Sequence, residues 1–184
     1  ETQARKLARE NFEKLTELGI KKIITSCPLC YKTLAQDYEE MLPDWNIKVE
    51  YILQTISESL QNNLRLIKGT LKESFETKQI AYYDNCYLSR YSNICNEPRE
   101  ILKLLEINFL ELKNNKKSTL CTGSCGNLPE YNPDLANQLC KIFIKTMPTT
   151  IQELIIADSR DFNLLKETLK ETNLNNAPII TDLS

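Results

Sequence analysis

The chain has 184 residues, enough to bury a core as one domain or as two small half-domains. A formal net charge of −2, with basic residues scattered among acids, excludes a nucleic-acid footprint, and no apolar run approaches membrane-spanning length, which predicts a soluble segment. Histidine is absent, which removes Ser-His-Asp and Cys-His catalysis and any His-ligated zinc from this segment, while seven cysteines at irregular spacing make a poor secreted framework and point to metal-bound thiols in a reducing cytosol.

Residues 2–18 place Ala4, Leu7, Ala8, Phe12, Leu15 and Leu18 on one helical stripe, with Gly19 as the stop signal. Ile20 to Ser26 reads as a buried strand that runs into Cys27-Pro28-Leu29-Cys30 and then a helix over 31–41. Pro28 suits the first helical position, where no backbone donor is lost. The exposed amides of a helix start favour thiolate over thiol, so two cysteines there make a metal or redox site. Pro43 to Asn46 is a turn in which Trp45 is a half-buried anchor; a strand at 47–52 and a helix near 53–62 follow. Residues 65–78 are ambiguous. A strand over 79–83 leads to the loop Asp84-Asn85-Cys86, Pro98 opens a helix carrying Ile101, Leu102, Leu104 and Leu105, and 107–112 is another strand. Residues 114–117 form a solvated turn before Ser118-Thr119-Leu120-Cys121. Helices over 133–146 and 161–171 flank a strand at 152–157. This alternation predicts an α/β fold of two pseudo-repeated units, with mostly parallel sheet flanked by helices. Ile23 through Tyr31 lines up with Leu154 through Phe162 as a weak internal repeat, with Asp158 and Asp161 of the second copy where the first has Cys27 and Cys30.

Cys95 and Cys140 read as core residues, the latter beside Leu139 and Phe143 on a helix. Arg90 and Arg99 suit surface or cap salt bridges, and four glycines leave no nucleotide-binding glycine pattern.

Three stretches in order resemble one family. Tyr83-Asp84-Asn85-Cys86-Tyr87-Leu88-Ser89-Arg90 resembles a His-Asp-Pro-Cys-Tyr-Leu-Gly-Arg element, Asn96-Glu97-Pro98-Arg99-Glu100 a Pro-Arg-Glu helix start, and Cys121-Thr122-Gly123-Ser124-Cys125-Gly126 a Cys-Cys-Gly element. They are similar to the cysteine-rich, CCG-domain iron–sulfur proteins, which include heterodisulfide reductase subunits and glycolate oxidase iron–sulfur subunits. In that family a lone Cys, a Cys-Cys-Gly and a closing Cys-x-x-Cys form one unit, which usually occurs twice. The resemblance implies that residues 1–62 end a first unit, that 63–184 are a second, degenerate unit, and that the chain is a piece of a longer protein. It implies an iron–sulfur cluster of 4Fe–4S type, incomplete or absent in this segment as the alternatives, with Cys27, Cys30, Cys86, Cys121 and Cys125 as cofactor and metal ligands. The implied function is electron transfer within an iron–sulfur oxidoreductase related to heterodisulfide reductase. The implied partners are an upstream part of the same protein or other redox subunits, without nucleic acid or membrane insertion, in the cytoplasm and reaching a membrane complex only through partners.

The departures define the alternatives. Thr122 replaces the second adjacent Cys, Asp158 and Asp161 replace the closing pair, and Asn85 replaces the Pro before Cys86. Carboxylates are hard ligands, poorer than thiolates for cluster iron, so the Asp pair is expected to mark loss of ligands and to be dispensable. The rival readings are a non-redox scaffold subunit that has lost its cluster, and a Cys27/Cys30 thiol–disulfide or zinc-binding protein.

Overall fold

The computed structural model describes residues 3–63, 78–172 and 176–184. Helix α1 (Gln3–Glu17) ends as its sequence dictates: Gly19 sits at φ +68°, and the Ile20 amide reaches back 3.0 Å to the Leu15 carbonyl. Strand β1 (Lys22–Thr25) follows, then α2 (Pro28–Lys32), a π-helical turn over Thr33–Asp37, and α3 (Tyr38–Met41). The helical run therefore starts at Pro28 and not at Tyr31, because Cys27 itself caps it. Strand β2 (Lys48–Tyr51) and α4 (Ile52–Asn62) close the first part. The ambiguous stretch 65–78 lies outside the described residues except for Lys78.

The second part runs β3 (Ile80–Tyr82), a π-helical turn over Tyr87–Tyr91, α5 (Glu97–Leu104), β4 (Leu110–Glu111), α6 (Leu128–Tyr131), α7 (Pro133–Thr146), β5 (Glu153–Ile156), α8 (Ser159–Thr172) and β6 (Ile179–Asp182). The strand expected over 107–112 shrinks to two residues, because β4 is an edge strand that pairs only through Leu110 and Glu111. Strand β6 escaped the sequence reading, its Ile-Ile-Thr-Asp being too short and too near a Pro to stand out.

All strand pairs are parallel: β1 with β2 in one sheet, and the order β4-β3-β5-β6 in the other. The repeat is visible in the registers. Lys22 faces Lys48 and Glu153 faces Ile179, the same chain spacing in both βαβ units, with Ile23 and Leu154 at equivalent positions. The equivalents differ in company. Strand β5 lies between β3 and β6 with all four residues buried, whereas β1 pairs only with β2 among the described residues and leaves Ile24 exposed. The stripe of α1 is correspondingly half used. Ala8 and Phe12 are buried with Tyr38, Leu42 and Ile47, while Leu7 and Leu18 stay exposed, since two strands offer too little surface to cover a fifteen-residue helix.

The two units share a core in which Tyr51 and Leu53 pack with Ile80, Tyr82, Ile101 and Leu102. The Tyr51 hydroxyl lies between two carbonyls, 3.0 Å from that of Ser26 and also against that of Ala157. These are the residues just before Cys27 and Asp158, so one side chain ties together the carboxyl ends of β1 and β5.

Within the first unit, Glu50 takes Lys22 and Lys48 at 2.6 Å each and the Thr55 hydroxyl at 3.0 Å. The Lys22 and then Lys48 contacts hold its carboxyl down at about 2 instead of the ordinary 4.5. A depressed carboxylate adds stability that is fully present above the unfolded value and is lost as pH falls through the folded one. Urea melts between pH 6 and 2 should therefore show a loss of about 1–3 kcal/mol attributable to Glu50, nearer the lower end because both lysines face solvent. Glu50→Gln should remove that part of the slope; an unchanged slope would show that the pairing contributes nothing.

Candidate metal centre

In a parallel sheet the loops after the strands gather at the carboxyl edge. The loop after β3 carries Cys86, the segment after β4 carries Cys121 and Cys125, and the loops after β1 and β5 carry Cys27 and Asp158. The sulfurs of Cys86, Cys121 and Cys125 all lie within 4.8 Å of one another, and Cys86 Sγ is 2.9 Å from Cys125 Sγ. Cys86 is buried and the other two half-buried. Cys121 is held down as the thiolate because Cys125 and then Cys86 donate to it, helped by the Gly123 amide at 3.3 Å, while Cys125 and Cys86 are pushed up as the donors.

The backbone between the thiols is tightly specified. Gly123 has φ +97°, and a Cβ there would stand 2.6 Å from the Ala136 carbonyl oxygen, so the segment passes against α7 only because that residue is glycine.

Cys27 and Cys30 sit apart from the trio, and only Cys27 faces a crevice shared with it. Cys27 Sγ accepts the Cys30 amide at 3.3 Å as the cap of α2, and Cys27 lines a narrow crevice with Tyr87, Cys125, Asp158 and Arg160. The expected thiolate character fails at Cys30, which burial and then its hydrogen bond to Cys27 push up to about 11. Cys95 is buried and Cys140 is wholly buried beside Phe143 and Leu165, as core residues. Trp45 is half-buried between Phe12 and Tyr38.

Arg90 is exposed as expected, whereas Arg99 is not a surface residue. Arg99 is buried and grips Asp84 with two bonds of 2.9 and 2.7 Å, while also binding Glu111 of β4 and the Cys95 carbonyl. Arg90 donates to the Thr119 carbonyl, and Thr119 Oγ1 donates to the Asp84 carbonyl at 2.7 Å. Together they sew the loop that bears Cys86 to the loop that bears Cys121. Asn85 caps the turn after Cys86, its Oδ1 accepting the Tyr87 amide at 2.9 Å. Spacing alone does not reveal these roles, since each depends on contacts between loops distant in the chain.

Neither carboxylate is free to replace a thiol. Asp161 Oδ1 accepts the Thr122 and Ser124 hydroxyls, and its Oδ2 accepts Asn85 Nδ2. Asp158 accepts Asn85 Nδ2 on one oxygen and the Arg160 amide on the other. Burial, and then the charge of Asp161, raise Asp158 to about 7; burial also raises Asp161. The pair is thus engaged in hydrogen bonds to Asn85, Thr122, Ser124 and the Arg160 amide, a structural role that the reading of a lost ligand pair does not include.

The model of the cysteine-rich CCG domain matches residues 1–35 and 80–161. The chain belongs to the CCG cysteine-rich domain family. The two matched stretches carry Cys27 and Cys30, and Cys86, Cys121 and Cys125. One subunit of the dihydromethanophenazine:CoB–CoM heterodisulfide reductase of Methanosarcina barkeri is 32% identical over 135 residues, covering 72% of this chain and 32% of that protein. The probable iron–sulfur-binding oxidoreductase FadF of Bacillus subtilis is 27% identical over 136 residues, covering 72% of this chain and 18% of the relative. The probable glycolate oxidase iron–sulfur subunit of the same species is 27% identical over 126 residues, covering 66% and 28%. The chain therefore matches about a third or less of the length of these relatives. Two of these relatives carry iron–sulfur in their names, and what this chain shares with all three is the cysteine-rich domain. Among the described residues no helix is long and apolar enough to cross a membrane.

Proposed function

We propose that this chain is an electron-transfer segment of an iron–sulfur oxidoreductase related to the heterodisulfide reductases. The observation that carries the reading is the convergence of Cys86, Cys121 and Cys125 within 4.8 Å at the carboxyl edge of a parallel sheet, with the thiolate form already favoured at Cys121. The donor set suits a soft metal: three sulfurs, and carboxylates whose oxygens are occupied by hydrogen bonds. A 4Fe–4S cluster held there would supply one-electron capacity. The chain's own residues would supply three thiolates and an amide donor to one of them, beside a crevice lined by Cys27 and Arg160.

Residues 1–62 are read as the end of one CCG unit and 63–184 as a second. An upstream strand pairing with the open edge of β1, as β3 pairs with β5, is the partner this reading supplies for Cys27 and Cys30. The segment works in the cytoplasm and meets a membrane complex only through its partners.

Anaerobic reconstitution with iron and sulfide, followed by iron, sulfide and zinc analysis, tests the proposal. The expected product is brown, with broad visible absorption and about four irons and four sulfides per chain. A colourless protein holding one zinc, or no metal, overturns it.

A further inference from the structure

Four positions at which this chain departs from the family elements meet in one buried hydrogen-bonded group. Asn85 stands for Pro, Thr122 for the second adjacent Cys, and Asp158 and Asp161 for the closing pair. Asn85 Nδ2 donates to Asp158 Oδ2 at 2.9 Å and to Asp161 Oδ2 at 2.7 Å, and the Thr122 hydroxyl donates to Asp161 Oδ1. The Ser124 hydroxyl joins them, donating to Asp161 Oδ1 at 2.6 Å. All five side chains are buried, and Asp161 has no exposed surface. Ligand loss without compensation would leave unsatisfied polar atoms in such a place, at a high desolvation cost. Here donors and acceptors are matched.

We infer that Asp161 is a positioning residue: its carboxylate ties together the immediate chain neighbours of Cys86, Cys121 and Cys125 and sets the spacing of the three thiols before any metal arrives. Asn85 precedes Cys86, Thr122 follows Cys121 and Ser124 precedes Cys125, so each hydrogen bond to Asp161 fixes one thiol-bearing segment. Three thiols that must all ionise to bind a metal repel one another as they do so, and a scaffold must hold them together. An ionised carboxylate offers two oxygens with about four lone-pair sites, whereas a cysteine sulfur is a weak acceptor and could not gather three donors. The position that holds a ligand in the family element here holds the other ligands in place. The inference rests on the metal-centre reading only for what the site finally binds; the spacing belongs to the apo chain.

The test is a Cd(II) titration of apo protein carrying Cys27→Ser and Cys30→Ser, so that the trio alone reports, followed by sulfur-to-cadmium charge-transfer absorbance against a competing chelator. Asp161→Ala should weaken Cd(II) binding by about tenfold or more, as expected when a group that orients metal ligands is removed. Thr122→Val with Ser124→Ala should give a comparable loss, and combining it with Asp161→Ala should add little, because the residues act as one unit. Asp161→Asn keeps one carbonyl acceptor and should fall between wild type and Asp161→Ala. A role confined to general stability would lower the melting temperature yet leave Cd(II) affinity, read well below the melt, unchanged; that result overturns the inference, as would wild-type binding through fewer than three thiolates. Should Asp161→Ala not fold, Ser124→Ala carries the same test with a smaller loss. A protein that binds Cd(II) through three thiolates but takes up no iron and sulfide would refute the iron–sulfur proposal and leave this inference standing.

Discussion

Cys86→Ser is expected to bring bound iron in the reconstituted protein down to background and to bleach its visible absorption. Cys86 lies within 4.8 Å of both Cys121 and Cys125, and two remaining thiolates cannot enclose a cluster that needs about four ligands. A serine hydroxyl is a harder donor and ionises far less readily, so it does not restore the site. Cys30→Ser should leave the colour. Cys30 is exposed, and its pKa of about 11 leaves it largely protonated at neutral pH, a poor competitor for metal. Cys140→Ser is the internal control, because its sulfur is buried in the core beside Phe143 and Leu165; it should cost stability and leave iron content unchanged. Iron analysis and absorption spectra of the three variants decide the matter. Retention of iron by Cys86→Ser together with loss in Cys30→Ser would move the centre to the first unit.

The second large effect is expected at Arg99. Its guanidinium pairs with Asp84 in a bidentate contact, with about 7% and 1% of the two side chains exposed, and also holds Glu111 of the edge strand β4. Removing one partner of a buried ion pair leaves the other charge without compensation and costs about 3–5 kcal/mol. Arg99→Met should therefore lower the melting temperature by roughly 6–20 °C for a chain of this size. The damage should reach the site, because Asp84 also accepts the Lys116 amide at 2.7 Å and its carbonyl takes the Thr119 hydroxyl, linking the Cys86 loop to the Cys121 loop. Arg99→Lys should rescue only in part, since an ammonium cannot reproduce the planar fork that serves Asp84 and Glu111 together. Thermal melts of both variants, with iron content measured on the folded fraction, test this; a shift of a degree or two would mean that the pair is replaceable.

Much of the architecture was legible in the chain. Strand, helix and turn signals alternate, the apolar runs Ile23-Ile24-Thr25 and Leu154-Ile155-Ile156 mark strands although only the second is buried, and Gly19 stops α1 where its backbone needs positive φ. Elements whose signal is weak were not legible. Strand β4 is set by pairing with β3, the two π-helical turns after Cys30 and Cys86 come from how those loops meet, and β6 is defined by its partner β5. Gln36 Nε2 donates to the Tyr91 carbonyl at 2.9 Å, joining the two π-helical turns across the units, a contact between residues 55 apart that no local pattern encodes.

For the site, residue types and order alone determined that thiols follow parallel strands and that Cys86, Cys121 and Cys125 belong together, because such loops must gather at one sheet edge. Residue type also determined which chemistry is absent, since a chain without histidine has no imidazole to offer. The tertiary structure decided the rest: that Arg99 is buried and not on the surface, that Tyr51 clamps the two units at Ser26 and Ala157, and that Asn85, Thr122, Asp158 and Asp161 form one group. Each of those four departures, read singly along the chain, looks like a lost ligand or an odd neighbour. Burial makes every polar atom find a partner, and which partners are within reach is a property of the folded loops, not of their spacing in the sequence.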